Sequence, residues 1–116
     1  TELPNLSPKD PATLFYTSGT TGMPKGVPLT HRNVCVSLNA ILETDFIHPD
    51  DRMLLPLPLH HVYPFVVGMM GPLALGVGIT FPAGLTGPQL IRALDEGQAS
   101  VILGVPRLYR ALCDGI

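Results

Sequence analysis

The stretch YTSGTTGMPKGV, Tyr16 to Val27, decides how this chain is read. Within twelve positions it holds four small hydroxyl residues, Thr17, Ser18, Thr20 and Thr21, with Gly19, Gly22, Gly26 and Lys25. The glycines let the backbone take conformations that a Cβ forbids. The hydroxyls can surround a tetrahedral anion, and Lys25, held close by Pro24, adds a mobile point charge. Backbone N–H groups of such a loop converge on phosphate oxygens in the same way. A solvated turn accounts for a Gly/Ser/Thr cluster alone. It does not account for a lysine after a proline at the end of a strand-like run, and the loop reads as a phosphate site.

The P-loop of nucleotide triphosphatases fails on three counts. That motif needs Gly before its lysine, Ser or Thr after it, and a helix starting at once. Here Pro24 precedes Lys25, Gly26 follows, and helix-forming sequence begins only after Leu29. A phosphate would therefore not rest on a helix N-terminus in the usual way.

Working outward, 116 residues suffice for one domain. The 46% hydrophobic and 14% charged composition predicts a buried core and not disorder. A formal net charge of −2 gives no electrostatic case for nucleic-acid binding. Cys35 and Cys113 form no metal-type or redox-type pair and fit buried thiols of a reduced intracellular protein, with a single disulfide as the alternative. TELPNLSPKD has no basic region followed by an apolar run, so it does not read as a secretory signal. Few charges and a mean hydropathy of +0.33 predict a piece of a larger protein, with surface that other parts cover. Met53 to Gln89 lacks Lys, Arg, Asp and Glu, but prolines and glycines interrupt it repeatedly. Buried elements explain that run better than a membrane span.

Ala12–Thr17 reads as a strand, and Gly26–Leu29 as extended chain before Thr30, a plausible N-cap for a helix over His31–Glu43. Arg52–Leu59 reads as a buried strand, Tyr63–Leu75 as a helix with a glycine-rich packing face, and Val77–Phe81 as a strand. Thr86 and Pro88 open a helix that Gly97 ends. Ser100–Val105 is a further strand, and Pro106 opens a helix over Arg107–Cys113. Strands alternating with helices predict an α/β class: a partial, mostly parallel sheet with flanking helices.

YTSGTTGMPKGV resembles the phosphate-binding signature of the adenylate-forming superfamily, which includes acyl-CoA synthetases, luciferase-like enzymes and peptide-synthetase adenylation domains. LPLPLHHVYPF, Leu55 to Phe65, is similar to the superfamily's substrate-side motif, and VPRLY, Val105 to Tyr109, resembles the acyl-CoA synthetase branch. The resemblance implies part of a large N-terminal AMP-binding domain covering residues 1–116, without the later motifs or the C-terminal lid domain. It implies a parent that joins a carboxylic acid, fatty in this branch, to ATP and passes the acyl group to coenzyme A. The piece alone would be inactive, since positioning needs every group held together.

Carried over by position, Thr17, Ser18, Gly19, Thr20, Thr21 and Gly22 would wrap the β- and γ-phosphates with Lys25 beside them. Neutralising charge on the leaving pyrophosphate is electrostatic catalysis. Thr17 is the implied Mg²⁺ ligand, and His61 matches the position beside the acyl carboxylate and α-phosphate. The plain alternative makes His60 and His61 ordinary strand-end residues. On an extended segment they would point apart, which argues against zinc. Val66, Val67, Met69 and Met70 fit either an acyl pocket or simple core, and Arg107 and Arg110 surface charges or partners of Asp95, Glu96 or Asp114. The implied location is cytoplasmic or peripheral to a membrane. A rival from another class is a non-catalytic binding or assembly module, whose apolar surface drives self-association.

Overall fold

The computed structural model describes residues 2–115. The central strand of its parallel sheet is β3, Arg52–Leu54, flanked by β4, Gly78–Thr80, and β5, Val101–Ile102. Met53, Leu54 and Leu55 are fully enclosed there, and Met53 and Leu55 share one core cluster with Ile47, Val77 and Leu103. A strand covered on both faces has no reason to alternate, which is why this run is uniformly apolar. The ladder extends one residue past the strand, where Leu55 N–H donates to Thr80 O (2.9 Å) and Leu103 N–H to Leu54 O (3.1 Å). Pro56 and Pro58, which have no N–H, then stop it. The strand expected over Arg52–Leu59 is therefore cut short.

The phosphate-loop segment lies outside this sheet. Strand β1, Pro11–Ser18, pairs antiparallel with β2, Pro24–Thr30, in a separate two-stranded sheet. Only Gly19–Met23 joins them. A parallel connection needs a crossover of about a dozen residues or more, so a link this short dictates a hairpin. At its tip Gly22 sits at φ 79°, and its N–H donates to Gly19 O at 3.1 Å.

Strand β2 runs directly into α1, His31–Leu42. Thr30 caps it reciprocally: Asn33 N–H donates to Thr30 Oγ1 at 3.2 Å, and Thr30 N–H to Asn33 Oδ1 at 3.0 Å. Further along, the single helix expected over Tyr63–Leu75 is two. A π-helical segment spans Pro64–Met70, closed by Gly71 N–H donating to Val66 O, and α2, Gly71–Leu75, follows. Gly68 lies against the Leu55 and Leu103 side chains, where a Cβ would collide with both, so this helix packs directly on the central strand. Helix α2 ends at Gly76, φ 72°, with Val77 N–H donating to Pro72 O (2.8 Å) and Gly76 N–H to Leu73 O (3.2 Å). That pair of bonds is the Schellman arrangement, and it needs a left-handed residue.

Helices α3, Gly87–Glu96, and α4, Pro106–Gly115, pack together where Gly87 meets Gly115 and the Ala111 carbonyl. Thr86 caps α3, its N–H donating to Gln89 Oε1 at 3.3 Å, with Leu90 fully buried. Arg92 pairs with Glu96 one turn on at 2.7 Å. Arg107 and Arg110 are exposed, and neither forms an ion pair among the described residues. Val66 is buried and Val67 and Met69 pack on the core, the plain reading of those residues. Cys35 and Cys113 are free and exposed, which corrects the expectation of buried thiols. Cys35 falls on the outer side of α1, whose buried residue is Val34, and Cys113 lies in the last turn of α4.

A polar lock closes the N-terminal end of the parallel sheet. Ser100 Oγ–H donates to Asp51 Oδ1 (2.6 Å) while accepting from Arg52 N–H (3.0 Å), and Arg52 Nη1 donates to Gln98 Oε1 (2.6 Å). His48 N–H donates to Asp51 Oδ2 at 2.7 Å. The Ser100 hydroxyl above all, then the His48 N–H and the nearby His48 charge, hold the Asp51 carboxyl below its ordinary value.

A folded-state pKa that is depressed gives stability present above the unfolded value, about 3.9, and lost as pH falls through the folded value. Asp51→Asn is accordingly expected to flatten the acid limb of a stability-versus-pH curve below about pH 4 and to change little near neutrality beyond a uniform offset. Urea titrations across pH read this directly; an acid limb identical to wild type would show that the lock carries no such linkage. At the hairpin tip, Gly22→Ala places a side chain in the left-handed region and is expected to cost about 1–2 kcal/mol in the same titrations. No loss would mean the turn relaxes to another conformation.

Candidate functional site

The hairpin tip presents its donors to solvent. Thr17 and Ser18 end β1, Thr20 and Thr21 form the turn, and Lys25 stands on β2 directly opposite Thr17. All five side chains are exposed. The antiparallel register is what brings Lys25 back beside the first hydroxyl of a loop it follows by eight positions. Gly19 lies between them. A Cβ there would stand 3.0 Å from Met23 O and 3.7 Å from both Lys25 Cε and Thr21 Oγ1. The Met23 carbonyl oxygen, the lysine stem and the Thr21 hydroxyl therefore all lie close around the Gly19 backbone, where a side chain would be crowded. The tip contains no carboxylate, so nothing in it repels an anion.

The second motif reaches this hairpin through aromatic contact. Phe15 on β1 meets Phe65 edge to face, with ring centroids 5.3 Å apart and planes at 69°. Such pairs contribute about 0.5–1.5 kcal/mol beyond the area they bury. Between Thr13–Tyr16 on one side and Leu59, His60 and Phe65 on the other lies a cleft of about 250 Å³. The sequence singled out His61; the residue in the cleft wall is its neighbour His60, to which motif matching gave no role.

The histidines also correct an expectation. They do not point apart, because the chain is turning here: His61 N–H donates to Pro58 O (3.4 Å), and His61 O accepts from Phe65 N–H (3.1 Å). The imidazole centroids come within 4.3 Å, tilted by 46°. Two nitrogen ligands do not make a zinc site, and no group of three His, Cys, Asp or Glu side chains is arranged for a metal among the described residues. No helix among them is long and apolar enough to cross a membrane.

Geometrically, then, a phosphate-type turn and a histidine-bearing cleft share strand β1. That arrangement suits a reaction in which one substrate carries phosphates and the other an apolar group. The chain is 38% identical over 113 residues to the peroxisomal long chain acyl-CoA synthetase 7 of Arabidopsis thaliana, covering 94% of this chain and 15% of that protein. It is 36% identical over 115 residues to a long-chain-fatty-acid–CoA ligase of Escherichia coli (94% and 20%), and 44% identical over 80 residues to a sulfoacetate–CoA ligase of Cupriavidus necator (69% and 16%). The chain thus spans a fifth or less of the length of these relatives. Among solved structures, a malonyl-CoA ligase in ternary complex with methylmalonyl-CoA and AMP superposes with a TM-score of 0.84 at 32% identity, over 97% of this chain and 24% of that one. ATP-bound MatB of Rhodopseudomonas palustris superposes at 0.81 and 28%, over 92% and 21%. Residues 1–115 match the AMP-binding enzyme family, to which this chain belongs.

Proposed function

We propose that this chain is part of the N-terminal AMP-binding domain of an acyl-CoA synthetase that activates a carboxylic acid with ATP and transfers it to coenzyme A. In the first step a carboxylate oxygen attacks the α-phosphorus and pyrophosphate leaves. In the second the thiol sulfur attacks the acyl carbonyl, and AMP leaves with the bonding pair. The observation that carries the reading is the hairpin tip, where four exposed hydroxyl side chains and Lys25, opposite Thr17, share one tight turn with no carboxylate. The family membership, and CoA ligases among both relatives and solved neighbours, support it.

In this reading Thr17, Ser18, Gly19, Thr20, Thr21 and Gly22 hold the β- and γ-phosphates, and Lys25 neutralises charge as it accumulates on the departing pyrophosphate. His61 stands where the carboxylate meets the α-phosphate and donates a hydrogen bond to the developing charge. Magnesium takes oxygen donors, which the exposed Thr17 hydroxyl offers; the remaining ligands would come from the nucleotide's phosphates and water. Bound there, the ion would supply further neutralisation of phosphate charge. The lid domain, adenine contacts and ribose contacts belong to parts of the enzyme outside this chain, and the chain alone is inactive in this reading. A fatty acid is the favoured substrate, on VPRLY and on relatives named for long-chain acids. Two free cysteines fit a reducing compartment such as the cytoplasm.

ATP–pyrophosphate exchange, run on the protein that carries this chain with carboxylates from acetate to long-chain fatty acids, tests the function and names the substrate class together. Exchange with none of them would end the ligase reading. Lys25→Ala is expected to lower the exchange rate about a hundredfold or more while the KM for the carboxylate changes far less. An unchanged rate would remove Lys25 from the site. His61→Ala is expected to alter acyl transfer or carboxylate preference more than the KM for ATP, whereas an unaltered profile would make it a structural residue.

A further inference from the structure

His60 has no role in the reaction as described so far, yet it forms part of the cleft wall on β1. Tyr16, one residue before the first hydroxyl of the hairpin tip, is among its lining residues, so the cleft lies along the strand that leads to that tip. No Asp, Glu, Lys or Arg lines it, and the rings of Phe15, Tyr16, His60 and Phe65 dominate it. It suits an apolar group with at most a small polar function and not a charged one. At about 250 Å³ it falls below the roughly 300–1,000 Å³ of pockets that bury a drug-sized ligand, so it takes a portion of a substrate.

Which portion follows from the second imidazole. With the carboxyl group at His61, as the proposed function has it, the cleft lined by the His60 ring, whose centroid is 4.3 Å from that of His61, offers apolar space beside it for the carbons attached to that carboxyl group. We propose that His60 is a specificity-determining residue: together with Phe65 it contacts the α- and β-carbons of the acid and sets which substituents are accepted there. This rests on the ligase reading. His60 is exposed, with the His61 ring near it and the cleft along it, so shortening its side chain would enlarge the cleft.

The test compares straight-chain acids with α- and β-substituted acids of equal length, by ATP–pyrophosphate exchange on the protein that carries this chain. In His60→Ala the ratio of kcat/KM for substituted over unsubstituted acids should rise about tenfold or more, with the KM for ATP within about twofold of wild type. His60→Gln, which keeps bulk and a polar end, should restore most of the wild-type ratio. Should His60→Ala fail to fold, as thermal denaturation would reveal, His60→Phe against His60→Gln makes the same comparison, the larger ring rejecting substituted acids more strongly. Unchanged ratios in these variants, with an active wild type, would overturn the assignment and leave the ligase reading standing. A change confined to the KM for ATP would place the nucleotide base in the cleft and overturn it equally. No exchange in wild type would remove both together.

Discussion

Everything else in this structure is arranged around three consecutive side chains, Met53, Leu54 and Leu55, that have no access to water. Successive residues of a strand point to opposite faces, so burying all three requires cover above and below at once. Strands β4 and β5 supply the lateral hydrogen bonds, and the π-helical segment comes down on Leu55 and Leu103 through the bare surface of Gly68. The same run ends in Pro56 and Pro58, so the chain must leave the sheet where the histidine turn begins. The position of His60 and His61 is thus a by-product of how the core closes.

The phosphate turn is held differently. Its hairpin shares no ladder with the parallel sheet, and it is anchored at two points. At its base His31 N–H donates to Asp10 O (3.1 Å) and Arg32 N–H to Pro8 O (2.9 Å), tying the N-terminal segment to the start of α1. Midway, Phe15 rests on Phe65. Beyond Tyr16 the side chains of Thr17, Ser18, Thr20, Thr21 and Lys25 are exposed. Loops that carry chemistry on a fixed scaffold commonly divide the labour in this way.

Much of this was legible in the sequence because the signals are local. Gly/Ser/Thr spacing with Lys25 marks the turn; Thr30 and the Thr86–Pro88 pair mark helix starts; an apolar run without alternation marks the central strand. What stayed hidden depends on partners distant in sequence. That β1 pairs with β2 and leaves the parallel sheet alone follows from the shortness of their link, yet strand propensity looks the same in either sheet. The exposure of Cys35 and Cys113 depends on which helix face docks, a choice that few residues of α1 dictate. Motif matching also assigned a role to His61 and none to His60. The turn at Pro58 brings the two rings together and puts only His60 in the cleft wall.

The π-helical segment has a consequence for how this region tolerates change. Each α-helical residue advances the chain by about 100° around the axis, and a π turn accommodates one residue more than an α turn. Deleting one residue between Pro64 and Gly71 would let ordinary α geometry return while the chain on either side keeps nearly its present facing, because the wide turn absorbs that residue. A deletion that the wide turn could not absorb would instead swing the preceding chain by about 100° and part Phe65 from Phe15. The segment therefore tolerates one step of length more readily than a side chain at Gly68, where no room exists between Leu55 and Leu103.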